Sequence, residues 1–272
     1  MLIAQISDLH IKANRRFAYG RVDTARALEV CIDRLNQLSP RPDLVLATGD
    51  LVDTGSDGEY ATLCGILAGL QVPLYLLPGN HDDRDGMRRA FPAAEYLPAQ
   101  GDFLQYVIED HPLRIIVLDS LDPGHGHGRL CSARLDWLAA ALAARPDAPT
   151  LVALHHPPFV TGITFMDRLG LIEGAERFRA IIAEHRQVER VLCGHLHRSI
   201  TVRWAGTVAA TCPSPAHQVA LDLTDSQPGF QLEPPGFLLH LWQGGALVSH
   251  LVPLGDYGPI YPFNDPSGKM ID

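Results

Sequence analysis

Residues 2–10 read Leu2-Ile3-Ala4-Gln5-Ile6-Ser7-Asp8-Leu9-His10, a largely apolar run that ends at once in a hydroxyl, a carboxylate and an imidazole. The run predicts a buried strand, and Thr24 to Leu38 then sets Leu28, Cys31, Ile32, Leu35 and Leu38 on one helical stripe. The same order recurs with a strand at Leu44 to Ala47, a helix over Glu59 to Leu70 and a strand at Pro73 to Leu77. Alternation of this kind predicts an α/β chain whose mostly parallel sheet is covered by helices.

Farther along, Leu104 to Ile108 and Leu113 to Leu118 flank Asp110-His111-Pro112 and predict a hairpin. Ser132 is expected to cap a helix carrying Leu135, Leu138 and Leu142. A strand at Thr150 to Leu154, a helix at Glu173 to Glu184 and a strand at Arg190 to Cys193 follow. Beyond them Ser199 to Trp204, Thr207 to Thr211, His217 to Leu221, Phe237 to Trp242 and Ala246 to Val252 read as successive strands. The expected division is a core over residues 1–198, an antiparallel strand-rich region over 199–255 with a cap or assembly role, and an extended tail over 256–272.

Composition narrows the function. A chain of 272 residues, 46% hydrophobic and 19% charged, can build one large unit or a core with an appendage. Its 22 basic and 31 acidic residues leave a net charge of −9, which argues against a protein that grips long nucleic acid by neutralising phosphates. No run approaches the roughly 18 apolar residues of a membrane span, so no membrane partner is expected. Met1 to His10 lack a basic leader, and the five cysteines are scattered without a C-x-x-C pair, so a reducing cytoplasm is expected.

Polar residues collect where the predicted strands end. Asp8 and His10 follow the first strand, Gly49-Asp50 the second and Gly79-Asn80-His81-Asp82 the third. His155-His156 closes the strand ending at Leu154, and Gly194-His195-Leu196-His197 closes the one ending at Cys193. In open α/β sheets such ends border the functional crevice. Each piece alone is ordinary: Asp50 suits a loop, Asn80 a turn, and His195 and His197 share one face of an extended segment. Together Asp8, His10, Asp50, Asn80, His156, His195 and His197 offer seven oxygen and imidazole donors and no thiolate. That mix suits two sites for Zn, Mn, Fe(II) or Co with one shared carboxylate.

The set D-x-H, G-D, G-N-H-D, H-H and G-H-x-H, in this order over about two-thirds of the chain, resembles the calcineurin-like binuclear metallophosphoesterases. Within them Ser7 to His10, Pro78 to Asp82 and His217-Gln218-Val219 look most like bacterial glycerophosphodiesterases and class III cyclic-nucleotide phosphodiesterases. The resemblance implies a two-sheet sandwich flanked by helices, two divalent metal ions per chain and a homo-oligomer. It implies that Asp8, His10, Asp50 and His197 hold one ion and Asp50, Asn80, His156 and His195 the other, Asp50 bridging. It places His81 and Asn80 at the substrate and Tyr19 and His217 beside the phosphate or its alcohol substituent.

The implied reaction is hydrolysis of a small phosphodiester by in-line attack of a hydroxide formed at the metals, with His81 steadying charge or protonating the leaving alkoxide. Two divalent ions against Asp8 and Asp50 leave the site at about +2 within an acidic chain, enough to attract a phosphate ester. A cyclic nucleotide is the alternative substrate, and a metal-free interaction scaffold is a reading from another class. No GxSxG elbow or Walker A loop supports serine hydrolysis or nucleotide cradling. Gly124-His125-Gly126-His127-Gly128 is read as a loop in preference to a further metal tract, and Phe159 to Gly170 as a loop that overhangs the site.

Overall fold

The computed structural model describes residues 1–224 and 228–271; within the expected tail, residue 272 lies outside them. The first half contains β1 (Leu2–Ile6), α1 (Thr24–Asn36), β2 (Leu44–Thr48), α2 (Asp57–Leu67), β3 (Leu74–Leu77) and α3 (Arg84–Ala90). It continues with β4 (Tyr106–Ile108), β5 (Arg114–Val117), β6 (Gly128–Arg129) and α4 (Ser132–Ala143). Then come β7 (Thr150–Ala153), α5 (Thr164–Asp167), β8 (Leu171–Glu173), α6 (Ala175–Glu184) and β9 (Val188–Cys193). The chain closes with β10 (Ile200–Trp204), β11 (Thr207–Thr211), β12 (Gln218–Val219), β13 (Phe230–Gln231), β14 (Gly236–Gln243) and β15 (Ala246–Pro253).

Among the described residues two large sheets form, one in the order β15-β14-β1-β2-β3 and one in the order β10-β11-β9-β7-β5-β4, beside the two-stranded pairs β12-β13 and β6-β8. Strands β1, β2 and β3 are parallel to one another, as are β5, β7, β9 and β11. Burial on both faces explains the unbroken apolar runs: each strand presses one face on the opposite sheet and the other on helices. Ile3, Leu44, Leu46 and Leu77 meet Ile115, Val117, Leu151 and Leu192 between the sheets. Ala4, Ile6 and Val45 face the other way, onto Leu28, Ile32 and Leu35 of α1 and Leu63 of α2. Across the molecule Ile116, Val152 and Val191 lie under Leu135 and Leu138 of α4 and Phe178 and Ile182 of α6. The layers are therefore helix, sheet, sheet, helix, the sandwich that the resemblance implied.

Polar joints tie the layers. Gln5 is fully buried; its amide donates to Thr48 Oγ1 (3.0 Å) and to the carbonyl of Cys193 in the opposite sheet (2.9 Å). Several boundaries shift for local reasons. Helix α2 starts at Asp57, two residues before the expected start, because Ser56 and Glu59 form a capping box. The cap of α4 is Cys131, and Ser132 is instead its first residue. Glu173 belongs to a short strand, and Gly174 at φ 85° turns the chain into α6.

The strands after residue 199 divide between the sheets. β11 joins β9 and carries β10 at the edge, whereas β14 lies antiparallel to β1 and carries β15. Hydrogen-bonding edges were open on both large sheets, and each received a hairpin. The expected strand at His217 to Leu221 shrinks to β12, which pairs with β13. Residues 256–271 form no helix or strand beyond an isolated Asn264–Met270 bridge. No helix among the described residues is long and apolar enough to cross a membrane.

Candidate metal centre

Registers Ile6 to Ala47, Thr48 to Leu77 and Ala153 to Leu192 bring the strand ends level, so their loops converge on one crevice. Asp8, His10, Asp50, His156, His195 and His197 are all buried there, with Asn80 half-buried beside them. Asp8, His10, Asp50, His195 and His197 adopt left-handed φ values of 57°, 45°, 50°, 71° and 52°. None is glycine, so each such residue is strained by about 1–2 kcal/mol. Five strained side chains aimed into one crevice are held by the surrounding hydrogen bonds. The amides of Asp8 and His10 donate to the carbonyls of Gly49 and Asp50, each at 3.0 Å.

Close backbone approach completes the cradle. A Cβ on Gly79 would lie 2.2 Å from Asp50 Oδ1, and one on Gly194 would lie 2.2 Å from Ser7 Oγ. The amide of His81 donates to Asp50 Oδ1 at 2.9 Å. Asp82 ties two loops together by accepting from the amides of Gly79 (2.9 Å) and Leu51 (3.1 Å) and from the Tyr60 hydroxyl (3.1 Å).

The donor atoms form two groups. In one, His10 Nε2 lies 3.2 Å from His197 Nε2 and 3.7 Å from Asp50 Oδ2, and His197 Nε2 lies 3.5 Å from Asp8 Oδ1. Ligand atoms around a tetrahedral ion at 2.0–2.1 Å are separated by about 3.3 Å, so these spacings fit a shared cation. In the other, Asn80 Oδ1, His156 Nε2 and His195 Nε2 are buried without a hydrogen-bond partner. An orphaned buried polar atom costs about 1–3 kcal/mol, and three at one place are accounted for by a cation that they would ligate. The residues present therefore fit a pair of divalent ions.

Three of the histidines have protonation states that agree with that fit. Burial pushes His156 and His197 well below the ordinary histidine range and His195 to about 3, which presents neutral imidazoles with free lone pairs. Burial opposes ionisation of Asp50, but His155 and His81 hold it well below the usual carboxylate range. His156 is oriented through its other nitrogen, 2.8 Å from Ser120 Oγ, and His197 through Nδ1, 3.2 Å from the His217 carbonyl.

Several residues of the crevice were not singled out from the sequence. His155 places Nε2 3.3 Å from Asp50 Oδ2 and 3.2 Å from His195 Nδ1, with its own Nδ1 on the Thr48 carbonyl. Asp53 lies 3.6 Å from His10 Nδ1 and pairs with Lys12. The His-His doublet marked His155 as a neighbour, whereas Asp53 carries no motif signal. His81 sets Nδ1 against the Asp53 carbonyl (2.7 Å), which leaves Nε2 for the cavity. Tyr19 stacks on Phe230 at 4.8 Å and meets His217 edge-on at 5.4 Å. The cavity, about 510 Å³, is lined by His81, Tyr19, His217 and Phe230 and by Ile163, Phe165 and Met166 of the 159–170 loop.

The fold and this constellation define a metallophosphoesterase. The calcineurin-like phosphoesterase profile matches residues 1–199, and the chain belongs to that family. It is 40% identical to a protein of Arcobacter nitrofigilis named "Probable glycerophosphodiester phosphodiesterase", over the whole of both chains. It is 34% identical to a glycerophosphodiester phosphodiesterase of Enterobacter lignolyticus, over 95% of this chain and 94% of that one. A "Probable cyclic nucleotide phosphodiesterase" of Rhodopseudomonas palustris is 36% identical over 97% of each. The crystal structure of a dimetal phosphatase from Danio rerio matches with a TM-score of 0.71 at 15% identity, over 93% of this chain and 98% of that one, a likeness of fold.

Proposed function

We propose that the chain hydrolyses small phosphodiesters, glycerophosphodiesters foremost, with two divalent ions drawn from Mn, Fe, Zn and Co. The observation that carries the reading is the trio of orphaned donors, Asn80 Oδ1, His156 Nε2 and His195 Nε2, in the crevice that also holds the Asp8, His10 and His197 group. Full-length similarity to glycerophosphodiester phosphodiesterases supports the substrate class.

Asp8, His10, Asp50 and His197 would hold one ion and Asp50, Asn80, His156 and His195 the other. Ions bound there supply Lewis acidity, ionising water near neutral pH and drawing charge from phosphoryl oxygens. The chain's own groups do the rest. Asp50, fixed by the His81 amide and by His155, stays anionic between the two donor groups. His81, anchored through its Nδ1–H, turns Nε2 toward the ester and, as the imidazolium, steadies the developing charge or gives the alkoxide its proton. Tyr19 and His217 flank the alcohol substituent, and the Ile163, Phe165 and Met166 wall excludes water.

A cyclic nucleotide is the second reading, favoured by the aromatic face of Tyr19 stacked on Phe230, a surface suited to a base. Rates of the metal-loaded protein on glycerophosphoethanolamine, cyclic AMP and an aryl diester, measured side by side, test the choice. Faster turnover of glycerophosphoethanolamine than of cyclic AMP is expected; the reverse order overturns the substrate assignment. The proposal extends to a cytoplasmic homo-oligomer assembled through the C-terminal region, where Leu251, Tyr261 and Phe263 are exposed. Light scattering that finds only monomer contradicts the assembly.

A further inference from the structure

We infer a third divalent-metal site outside the crevice, built by Asp122, His125 and His127 in the loop between β5 and β6. A turn closed by the His125 amide on the Asp122 carbonyl (3.1 Å), with Gly124 at φ 81°, folds the imidazole back over the carboxylate. His125 Nδ1 then lies 3.1 Å and His127 Nε2 3.7 Å from the same oxygen, Asp122 Oδ2. All three donor atoms fall within 4.8 Å of one another. The spacings bracket the roughly 3.3 Å that separates ligand atoms around a tetrahedral ion, as in the buried groups above. An ordinary ion pair would use one imidazole; here a second closes on the same oxygen with the rings 4.8 Å apart.

Two imidazoles and a carboxylate select imidazole-seeking ions such as Zn²⁺, Ni²⁺ or Cu²⁺ over Mg²⁺ or Ca²⁺, and the exposure of His125 leaves room for water to complete the shell. Arg129 sits 3.9 Å from the other oxygen, Asp122 Oδ1, and pairs with Glu173 at 2.9 Å. The spacing D-x-x-H-x-H marks the two histidines as a pair; the fold adds Asp122. The site adjoins the crevice structurally. The loop begins after Ser120, which orients His156, and ends at Gly128, where an added Cβ would lie 2.4 Å from the His156 ring. An ion on Asp122, His125 and His127 therefore ties down the segment packed on His156.

The test is a metal count on the full chain, equilibrated with Zn²⁺ and freed of excess, comparing the wild type with His125→Ala/His127→Ala and with Asp122→Asn. One ion per chain fewer is expected in both variants, with the melting temperature of the metal-depleted proteins unchanged. This difference is read against the wild type, so it is separable from the number of ions in the crevice. Equal metal content in wild type and variants overturns the site. So does a Zn²⁺ titration of the wild type, followed by imidazole NMR, in which the His125 and His127 signals never move.

Discussion

The backbone amide of His195 donates to both carboxylate oxygens of Asp8, at 3.0 and 3.1 Å, joining the loop after β1 to the loop after β9 across 187 residues of chain. The same carboxylate reaches toward His197 Nε2 at 3.5 Å, so one side chain both fixes the G-H-x-H loop and contributes to a donor group. Asp8→Ala removes both functions. It is expected to lose one crevice ion and to cut phosphodiester turnover on the order of 100-fold or more, the upper end of what displaced metal surroundings cost. Metal analysis and steady-state rates on one preparation check this; a variant with full metal content and full rate contradicts it.

Gly79 permits the approach of the G-N-H-D loop to Asp50. Because an added Cβ would meet the Asp50 amide nitrogen at 2.4 Å as well as its carboxylate, no side-chain rotation relieves the clash. Gly79→Ala is expected to lower stability by about 1–3 kcal/mol, as overpacking does, and to abolish most activity by displacing Asn80 and Asp50 together. Chemical denaturation and metal content measure the two effects. Unaltered metal affinity would show that the close approach does not shape the site.

With its Nδ1–H on the Asp53 carbonyl, His81 can give up a proton from Nε2 only as the imidazolium, and in that form it is the candidate proton donor. His81→Ala is expected to slow an alkyl ester by about 10²–10⁴-fold and an activated aryl ester much less, since an aryl oxide leaves without a proton. Equal losses on the two esters exclude the proton-donor role and leave charge stabilisation.

The pH dependence of stability has a source outside the crevice. His240, fully buried on β14, sets Nδ1 2.7 Å from Ser249 Oγ and Nε2 3.1 Å from Gln5 Oε1, and burial with nearby Arg190 pushes it down to about 3. The unfolded chain, at an ordinary 6.5, takes up this proton first as pH falls. The neutral imidazole's contribution is therefore complete above about 6.5 and is lost toward about 3, at no more than about 1.4 kcal/mol per pH unit. His240→Asn is expected to melt lower at pH 7 and to show a shallower fall between pH 6.5 and 4. Parallel stability curves for metal-depleted wild type and variant rule out the assignment.

What the sequence disclosed follows from the range of the forces involved. Apolar periodicity located β1, α1, β2 and β3, because Leu28, Ile32 and Leu35 must all face one sheet. It also located the polar strand ends, because side chains there cannot be buried in the sandwich. It did not disclose that β14 would pair with β1 at a separation of more than 230 residues while β11 paired with β9, since open edges are properties of the assembled sheets. Left-handed φ at Asp8, His10, Asp50, His195 and His197 was equally hidden, for residues of these types seldom adopt it without imposed contacts. Asp53 and Ser120 orient histidines only through three-dimensional neighbours, and Asp122 joins His125 and His127 only through a turn.

Pairing of two cations in one crevice is tested most directly by anomalous diffraction from crystals of the Mn²⁺- or Zn²⁺-loaded protein. Two peaks are predicted in the crevice, one among Asp8, His10 and His197 and one among Asn80, His156 and His195, with Asp50 in coordinating reach of both. A map with no peak beside Asp50, from protein that still cleaves phosphodiesters, would contradict it.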